Sequence, residues 1–368
     1  MTKRIDYIHS SKIRELFQQA TKLKDAINFG IGQPDFAVPQ QIKTDLIEAI
    51  NSDKTGYTQT AGISELKEKI MSKYFPNKFA EDVLISSGVT GGLFLSYSAI
   101  LEESDELIIF DPYFVIYPDM CNFLNAKPVI VKTNSDFTIN VENLKQAISS
   151  KTKAILINSP NNPTGYVYLK EELGKIVEIA RQNNLWIISD EIYEDFDYDK
   201  KFISVGKLYD KTIVLGGFSK NFALTGLRLG YVVGPKQIID DMTKLQQYTY
   251  VCAPSIVQYA VAKNFNINIS SEINSFRKRR DIIYNLLKNS FEISKPQGAF
   301  YIYPKLPEGI SATAFSEKCL ENNLIVVPGS AFSKVDDYFR ISYATSEDEL
   351  KRGAQILIKV VNEMKAGN

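Results

Sequence analysis

Seven short runs of Val, Ile and Leu recur through the middle of this chain, at 83–86, 106–110, 128–132, 154–158, 185–189, 212–217 and 229–234. Most are nearly continuous in apolar residues and do not alternate with polar ones, the pattern of strands covered on both faces in a parallel sheet. Between them, apolar residues repeat at helical spacing: Ile63, Leu66, Ile70, Met71 and Tyr74 on one face, and Leu173, Ile176, Val177 and Ala180 on another. Strand and helix in turn predict an α/β fold with a mostly parallel seven-stranded sheet covered by helices on both faces. Beyond it the pattern changes. A long helix is expected at 274–290, then strands at 298–304, 324–330 and 338–344, and a last helix at 347–365. These describe a smaller α+β domain built from both chain ends. The expected division is an N-terminal arm and part of the small domain at 1–44, a large domain at 45–275 and a small C-terminal domain at 276–368.

Composition narrows the chemistry. Lys plus Arg and Asp plus Glu are 43 each, so the formal charge is zero and neither nucleic acid nor an anionic membrane is the default partner. His9 is the only histidine, so a Ser-His-Asp or Cys-His site would rest on it alone and an H-E-x-x-H zinc site is impossible. Cys121, Cys252 and Cys319 are far apart, with no C-x-x-C, so no thiolate metal site or disulfide framework is suggested. Residues 1–12 are polar, and no run approaches the ~18 apolar residues of a membrane span. A cytoplasmic location is expected.

In a parallel α/β sheet, ligands gather at the carboxyl ends of the strands. After 83–86 comes Ser87-Gly88-Val89-Thr90-Gly91-Gly92, a glycine-rich helix start suited to an anion. After 154–158 comes the rigid turn Ser159-Pro160-Asn161-Asn162-Pro163-Thr164-Gly165, which fixes the Asn162 amide. Asp190 ends the apolar run 185–189, where a carboxylate is costly without a cation or donor, and Tyr193 follows three residues later. Gly217-Phe218-Ser219-Lys220 puts one lysine between a strand end and an apolar segment, eight residues before Arg228. Such a lysine is a candidate imine-forming nucleophile. Arg340 lies mid-strand among aromatic and β-branched neighbours and suits bidentate pairing with a carboxylate.

In this order and spacing the motifs resemble the fold-type I pyridoxal 5′-phosphate-dependent aminotransferases of class I/II, the aspartate aminotransferase-like family. The resemblance covers almost the whole chain, from Ile27-Asn28-Phe29-Gly30-Ile31-Gly32-Gln33-Pro34-Asp35-Phe36 through Gly56-Tyr57-Thr58 to Arg340. It implies that Lys220 bonds covalently to the cofactor and later carries the proton at the substrate α-carbon. By the same resemblance Asp190 pairs with the pyridine nitrogen, Tyr193 and Asn162 with the ring 3′-oxygen, and Phe114 stacks on the ring. Val89, Thr90 and Arg228 hold the phosphate, with Tyr57 from a second subunit of a homodimer, and Ser219 also binds the cofactor. Arg340, Gly32 and Asn162 bind the substrate α-carboxylate.

Two departures stand out. The family often has a serine where this chain has Gly217, so one phosphate hydroxyl is missing. Some aspartate-specific relatives carry a lysine in the glycine loop, where this chain has Thr90. With Tyr7, Phe17, Tyr113, Tyr117 and Tyr250 available, a neutral or aromatic L-amino donor is favoured, with a 2-oxo acid such as 2-oxoglutarate as acceptor in a ping-pong exchange. An aspartate-specific aminotransferase, a lyase on the same scaffold (C–S cleavage or ring formation from an activated methionine) and a non-enzymatic cofactor sensor are the alternatives. The cluster Arg277-Lys278-Arg279-Arg280 points around its helix and reads as solvated structure.

Overall fold

The computed structural model describes residues 5, 6, 8, 25–75 and 82–367. Its centre is a seven-stranded sheet of β2 (Asp82–Ser86), β3 (Glu106–Asp111), β4 (Lys127–Lys132), β5 (Thr152–Asn158), β6 (Trp186–Asp190), β7 (Thr212–Gly217) and β8 (Gly230–Gly234), all at the predicted runs. The order across the sheet is β2-β8-β7-β6-β5-β3-β4. Only β8 runs against its neighbours, pairing antiparallel with both β2 and β7.

The side chains explain why these strands read as unbroken apolar runs. Leu84, Leu107, Ile109, Leu156, Ile188, Ile213 and Leu215 pack with Leu93, Tyr97, Cys121 and Met242 from helices on one face. Their strand neighbours point the other way. Ile108, Ile155, Ile157 and Ile187 meet Leu173, Ile176 and Ala180, while Val83, Ile85 and Val214 meet Leu66, Ile70 and Val257. Successive residues of a strand face opposite sides, so a sheet covered on both needs apolar residues at every position. Each such Leu or Ile, fully buried, contributes about 1.5–3 kcal/mol of transfer free energy.

A second core brings together distant parts of the chain. Ile27 and Phe29 pack with Phe276, Ile283 and Leu287 of the helix Ser270–Leu287, with Phe315 and Cys319, and with Leu350, Leu357 and Val361 of the helix Glu347–Gly367. Tyr193, Phe196 and Tyr198, just beyond β6, join the same core. Here the strands are shorter than predicted. The run 298–304 forms a strand only over β9 (Tyr301–Ile302), and 338–344 over β12 (Phe339–Ser342), with isolated bridges at Gly298 and Tyr338. The run 324–330 divides in two: β10 (Leu324–Ile325) pairs with β1 (Ile27–Asn28), whereas β11 (Val327–Pro328) pairs with β12. A chain that changes partners between Ile325 and Val327 cannot form one continuous strand. Among the described residues no helix is long and apolar enough to cross a membrane, and no cluster of three or more His, Cys, Asp or Glu could hold a metal.

Candidate active site

Strand ends build the site. Lys220 lies three residues beyond β7, Asp190 is the last residue of β6, and the turn bearing Asn162 follows β5. The segment Val89–Thr90 opens the helix Gly88–Ile100 after β2, and Arg228 precedes the antiparallel β8 at the same edge. Neighbouring strands are about 4.8 Å apart, so the order β2-β8-β7-β6-β5 sets the lysine between the glycine loop and the aspartate. Val89, Thr90, Phe114, Asn162, Asp190, Tyr193, Ser219, Lys220 and Arg228 line one cavity of about 140 Å³. Ile192 and Thr225 line it too, without having been singled out in the sequence. Tyr57 is not brought in within this chain; its side chain is 85% exposed. Tyr7, His9 and Phe17 lie outside the described residues.

Asp190 is 4% exposed. Tyr117 donates to its Oδ2 at 2.8 Å and the Ile192 backbone N–H to its Oδ1 at 3.2 Å. Burial pushes its pKa up to about 6, against the opposing pull of those two donors and of Lys220. Across the cavity, burial lowers the Lys220 ammonium to about 8, helped by the Arg340 charge and resisted by Asp190. The Lys220 Nζ donates to the Gly32 carbonyl at 2.5 Å, which brings the N-terminal segment onto the lysine. Asn221, next in the chain, anchors the loop by donating to Asp195 at 2.8 Å.

Arg340 is 2% exposed, and among the described residues no carboxylate pairs with it. Its Nη1 donates to Asn162 Oδ1 at 3.0 Å and its Nη2 to the Gly30 carbonyl at 2.6 Å, while its Nε has no partner. The guanidinium lies between the rings of Tyr301 and Phe332, 4.6 and 4.8 Å from their centroids. A buried cation without a counter-charge is costly, which marks this as a place for an anionic ligand group. Asn158, which sequence reasoning missed, staples the turn to β6. Its side chain donates to the Asp190 carbonyl at 3.0 Å and accepts from the Asn162 N–H at 2.9 Å.

The glycine loop forms an anion cradle. No side chain caps the helix that starts at Gly88, so its first N–H groups face the cavity edge without a side-chain acceptor. Arg228 closes over the loop: a Cβ on Gly88 would sit 2.6 Å from its Nη2. Behind it the backbones touch, since a Cβ on Gly230 would lie 2.6 Å from the Gly88 carbonyl carbon and 2.8 Å from the Val89 nitrogen. A Cβ on Gly217 would in turn lie 3.1 Å from the Gly230 Cα, so the missing hydroxyl coincides with a position of tight backbone packing. Gly230→Ala is expected to cost about 3 kcal/mol, the upper end for overpacking, because the clash is with backbone that cannot rotate away. A thermal midpoint several degrees lower, with cofactor affinity reduced at least ~10-fold in a fluorescence titration, would bear this out; an unchanged midpoint would refute it.

The donor set fits pyridoxal 5′-phosphate: an uncapped helix start with an arginine for the phosphate, a buried carboxylate for the ring nitrogen, and an amine of lowered pKa between them. A site of this kind, at this edge of such a sheet, is that of a fold-type I pyridoxal 5′-phosphate enzyme. The model of the family "Aminotransferase class I and II" matches residues 24–357, and the chain belongs to that family. The protein is accordingly a transferase that uses pyridoxal 5′-phosphate to move amino groups. It is 39% identical to an aspartate aminotransferase of Pyrococcus abyssi over 99% of both chains. It is 34% identical to aromatic-amino-acid aminotransferase 2 of Thermococcus litoralis, again over 99% of both. A single mutant of Thermus thermophilus aspartate aminotransferase superposes with a TM-score of 0.93 at 31% identity, covering 98% of this chain and 99% of that one.

Proposed function

We propose that the chain transfers the amino group of a neutral or aromatic L-amino acid to a 2-oxo acid such as 2-oxoglutarate. The observation that carries the reading is the buried, unpaired Arg340 guanidinium beside the cavity that holds Lys220 and Asp190. When bound, the cofactor supplies an aldehyde that captures the amino group and a ring that accepts the electron pair left at the substrate α-carbon. The chain's residues do the rest. Arg340 and Asn162, with the Gly32 backbone, bind the α-carboxylate and so orient the α-carbon. Lys220 is the covalent anchor and, once released, takes the α-proton and returns it on the other side of the exchange. At its ordinary pKa only about one lysine in a few thousand is neutral at pH 7; at about 8 it is roughly one in ten.

Asp190 keeps the ring nitrogen protonated, Tyr193 and Asn162 bind the ring oxygen, and Phe114 covers the ring face. Val89, Thr90 and Arg228 grip the phosphate, with Tyr57 reaching in from a second copy of the chain, and Ser219 lines the cofactor's cavity beside Lys220. Tyr57 is 85% exposed, and Ser255 Oγ bonds the carbonyl of the adjacent Gly56, which supports a homodimer covering this tyrosine. The free thiols of Cys121, Cys252 and Cys319 support a reducing, cytoplasmic setting. The second core supports a small C-terminal domain at 276–368 joined by Ile27 and Phe29 of an N-terminal arm at 1–44, whose Ile42 packs with Leu66 and Ile70 of a large domain at 45–275.

For the donor, the only cations lining the cavity among the described residues are Lys220 and Arg228, both engaged by the cofactor in this reading. That favours an uncharged side chain. The name of the Pyrococcus abyssi relative favours aspartate instead. A panel of L-amino acids, followed as spectral half-reactions and then with 2-oxoglutarate, is expected to show phenylalanine, tyrosine or leucine reacting at least ~10-fold faster than aspartate. Aspartate outrunning them would transfer the assignment to the second reading. Release of ammonia and a thiol without amino transfer would point to a lyase.

A further inference from the structure

We infer that Tyr301 is a positioning residue of the transamination site, its hydroxyl governing the hydrogen bond that Tyr193 gives the cofactor and its ring seating the Arg340 guanidinium. The inference rests on the roles proposed above for Tyr193 and Arg340. Tyr301 opens β9 and is 1% exposed. β9 pairs antiparallel with β12, the strand that carries Arg340, with Tyr301 opposite Ser342. Two contacts follow. The Tyr301 ring lies 4.6 Å from the Arg340 guanidinium carbon. The Tyr301 hydroxyl lies 2.8 Å from the Tyr193 hydroxyl, with the two rings edge to face.

The hydroxyl has little room to turn elsewhere. A Cβ on Gly32 would come 2.7 Å from Tyr301 Oη, so the glycine segment, whose carbonyl holds Lys220, lies directly against it. Burial raises both phenol pKa values, so both groups stay protonated and two hydroxyls share two protons. With Tyr193 donating to the ring oxygen, the geometry leaves Tyr301 as the donor to Tyr193. Donation into a hydroxyl strengthens that hydroxyl's own donation. The ring oxygen is thereby relieved of negative charge, and the nitrogen that Lys220 contributes to the cofactor bond holds its proton less tightly. The guanidinium face gains separately from the aromatic ring beneath it. One side chain thus supports the substrate-carboxylate end and the ring-oxygen end by two separable interactions.

Two variants separate them. Tyr301→Phe keeps the ring and removes the hydroxyl; Tyr301→Leu removes both. The measurements on the holoenzyme are the pH midpoint of the bound cofactor's absorbance change and the dissociation constant of 3-phenylpropionate, which has a carboxylate and an aromatic side chain but no amine. Tyr301→Phe is expected to raise the midpoint by about half a pH unit or more, from the lost hydrogen bond. It should leave probe binding within about twofold. Tyr301→Leu is expected to raise the midpoint similarly and to weaken the probe by roughly 5- to 10-fold, from the lost cation–ring contact. An unchanged midpoint in Tyr301→Phe, or unchanged probe binding in Tyr301→Leu, would overturn the inference while leaving the transaminase reading intact. A wild-type protein that takes up no cofactor would overturn both.

Discussion

Lys220→Ala is expected to lower turnover by at least ~10⁴-fold, since general base catalysis alone is typically worth 10²–10⁴ and the covalent anchor is lost with it. No second amine can substitute. Among the described residues Lys220 is the only lysine lining the cavity. The variant should fold, because Lys220 is half-buried and its one hydrogen bond is to the Gly32 carbonyl. Small primary amines added to the medium should restore part of the lost rate, which a collapsed site would not allow. In the wild type, the same residue predicts how uptake of the cofactor depends on pH. Borohydride-trappable attachment should rise through pH 7–9 with a midpoint near 8, since burial has brought the amine down from 10.5. A variant retaining more than about 1% of the wild-type rate would remove Lys220 from its role.

How far the sequence discloses this site depends on the range of the interactions involved. The seven strands of the large sheet are legible because helices on both faces leave no polar position to interrupt them. Lys220, Asp190 and Asn162 are legible because each ends or follows such a strand, where ligands gather in parallel sheets. Three other residues escape. Tyr117 lies 73 positions from Asp190 and Tyr301 lies 108 from Tyr193, so each contact exists only once the chain is folded. In the sequence Tyr117 stands out only as one of several aromatics available to a substrate side chain, not as a partner of Asp190, and Tyr301 reads as an ordinary strand aromatic. Asn158 looks like the polar end of a strand, and only the register of β5 against β6, with Asn158 beside Asp190, reveals the staple. At Gly217 the sequence presents a lost hydroxyl, and the structure adds that a Cβ there would lie 3.1 Å from the Gly230 Cα, a close approach that only the folded backbone reveals. The two-residue strands β1, β10 and β11 fail as continuous runs because periodicity needs a longer stretch than two residues to register.

Asp190→Asn should cut kcat by roughly 10³-fold, the scale of removing one preorganised charge interaction from a transition state, while the protein stays folded. The stability side distinguishes this from mere damage. Burial raises the Asp190 pKa from 3.8 to about 6, so in the cofactor-free protein its ionised form is disfavoured. The sign follows: below about pH 4 both folded and unfolded states hold the proton and there is no penalty. Between about pH 4 and pH 6 the unfolded chain ionises first, stability falls, and the loss then levels off. About two pKa units correspond to roughly 3 kcal/mol at pH 7. Asparagine removes that penalty but offers only one acceptor where Tyr117 and the Ile192 N–H both donate, which gives back about 1–3 kcal/mol. The two terms nearly cancel, so the cofactor-free variant should have a thermal midpoint at pH 7 within a few degrees of the wild type or above it. Its decline in stability between pH 4 and 6 should be shallower than that of the wild type but not absent, since burial also raises the Glu191 carboxyl to about 7 and that of Glu194 to about 8. With cofactor added the order should reverse, because only the carboxylate can pair with the protonated ring nitrogen. The carboxylate at the end of β6 therefore opposes folding of the empty protein and is offset when the cofactor binds. If Asp190→Asn kept more than a tenth of the activity, or was destabilised equally with and without cofactor, the charge would have no part in the reaction.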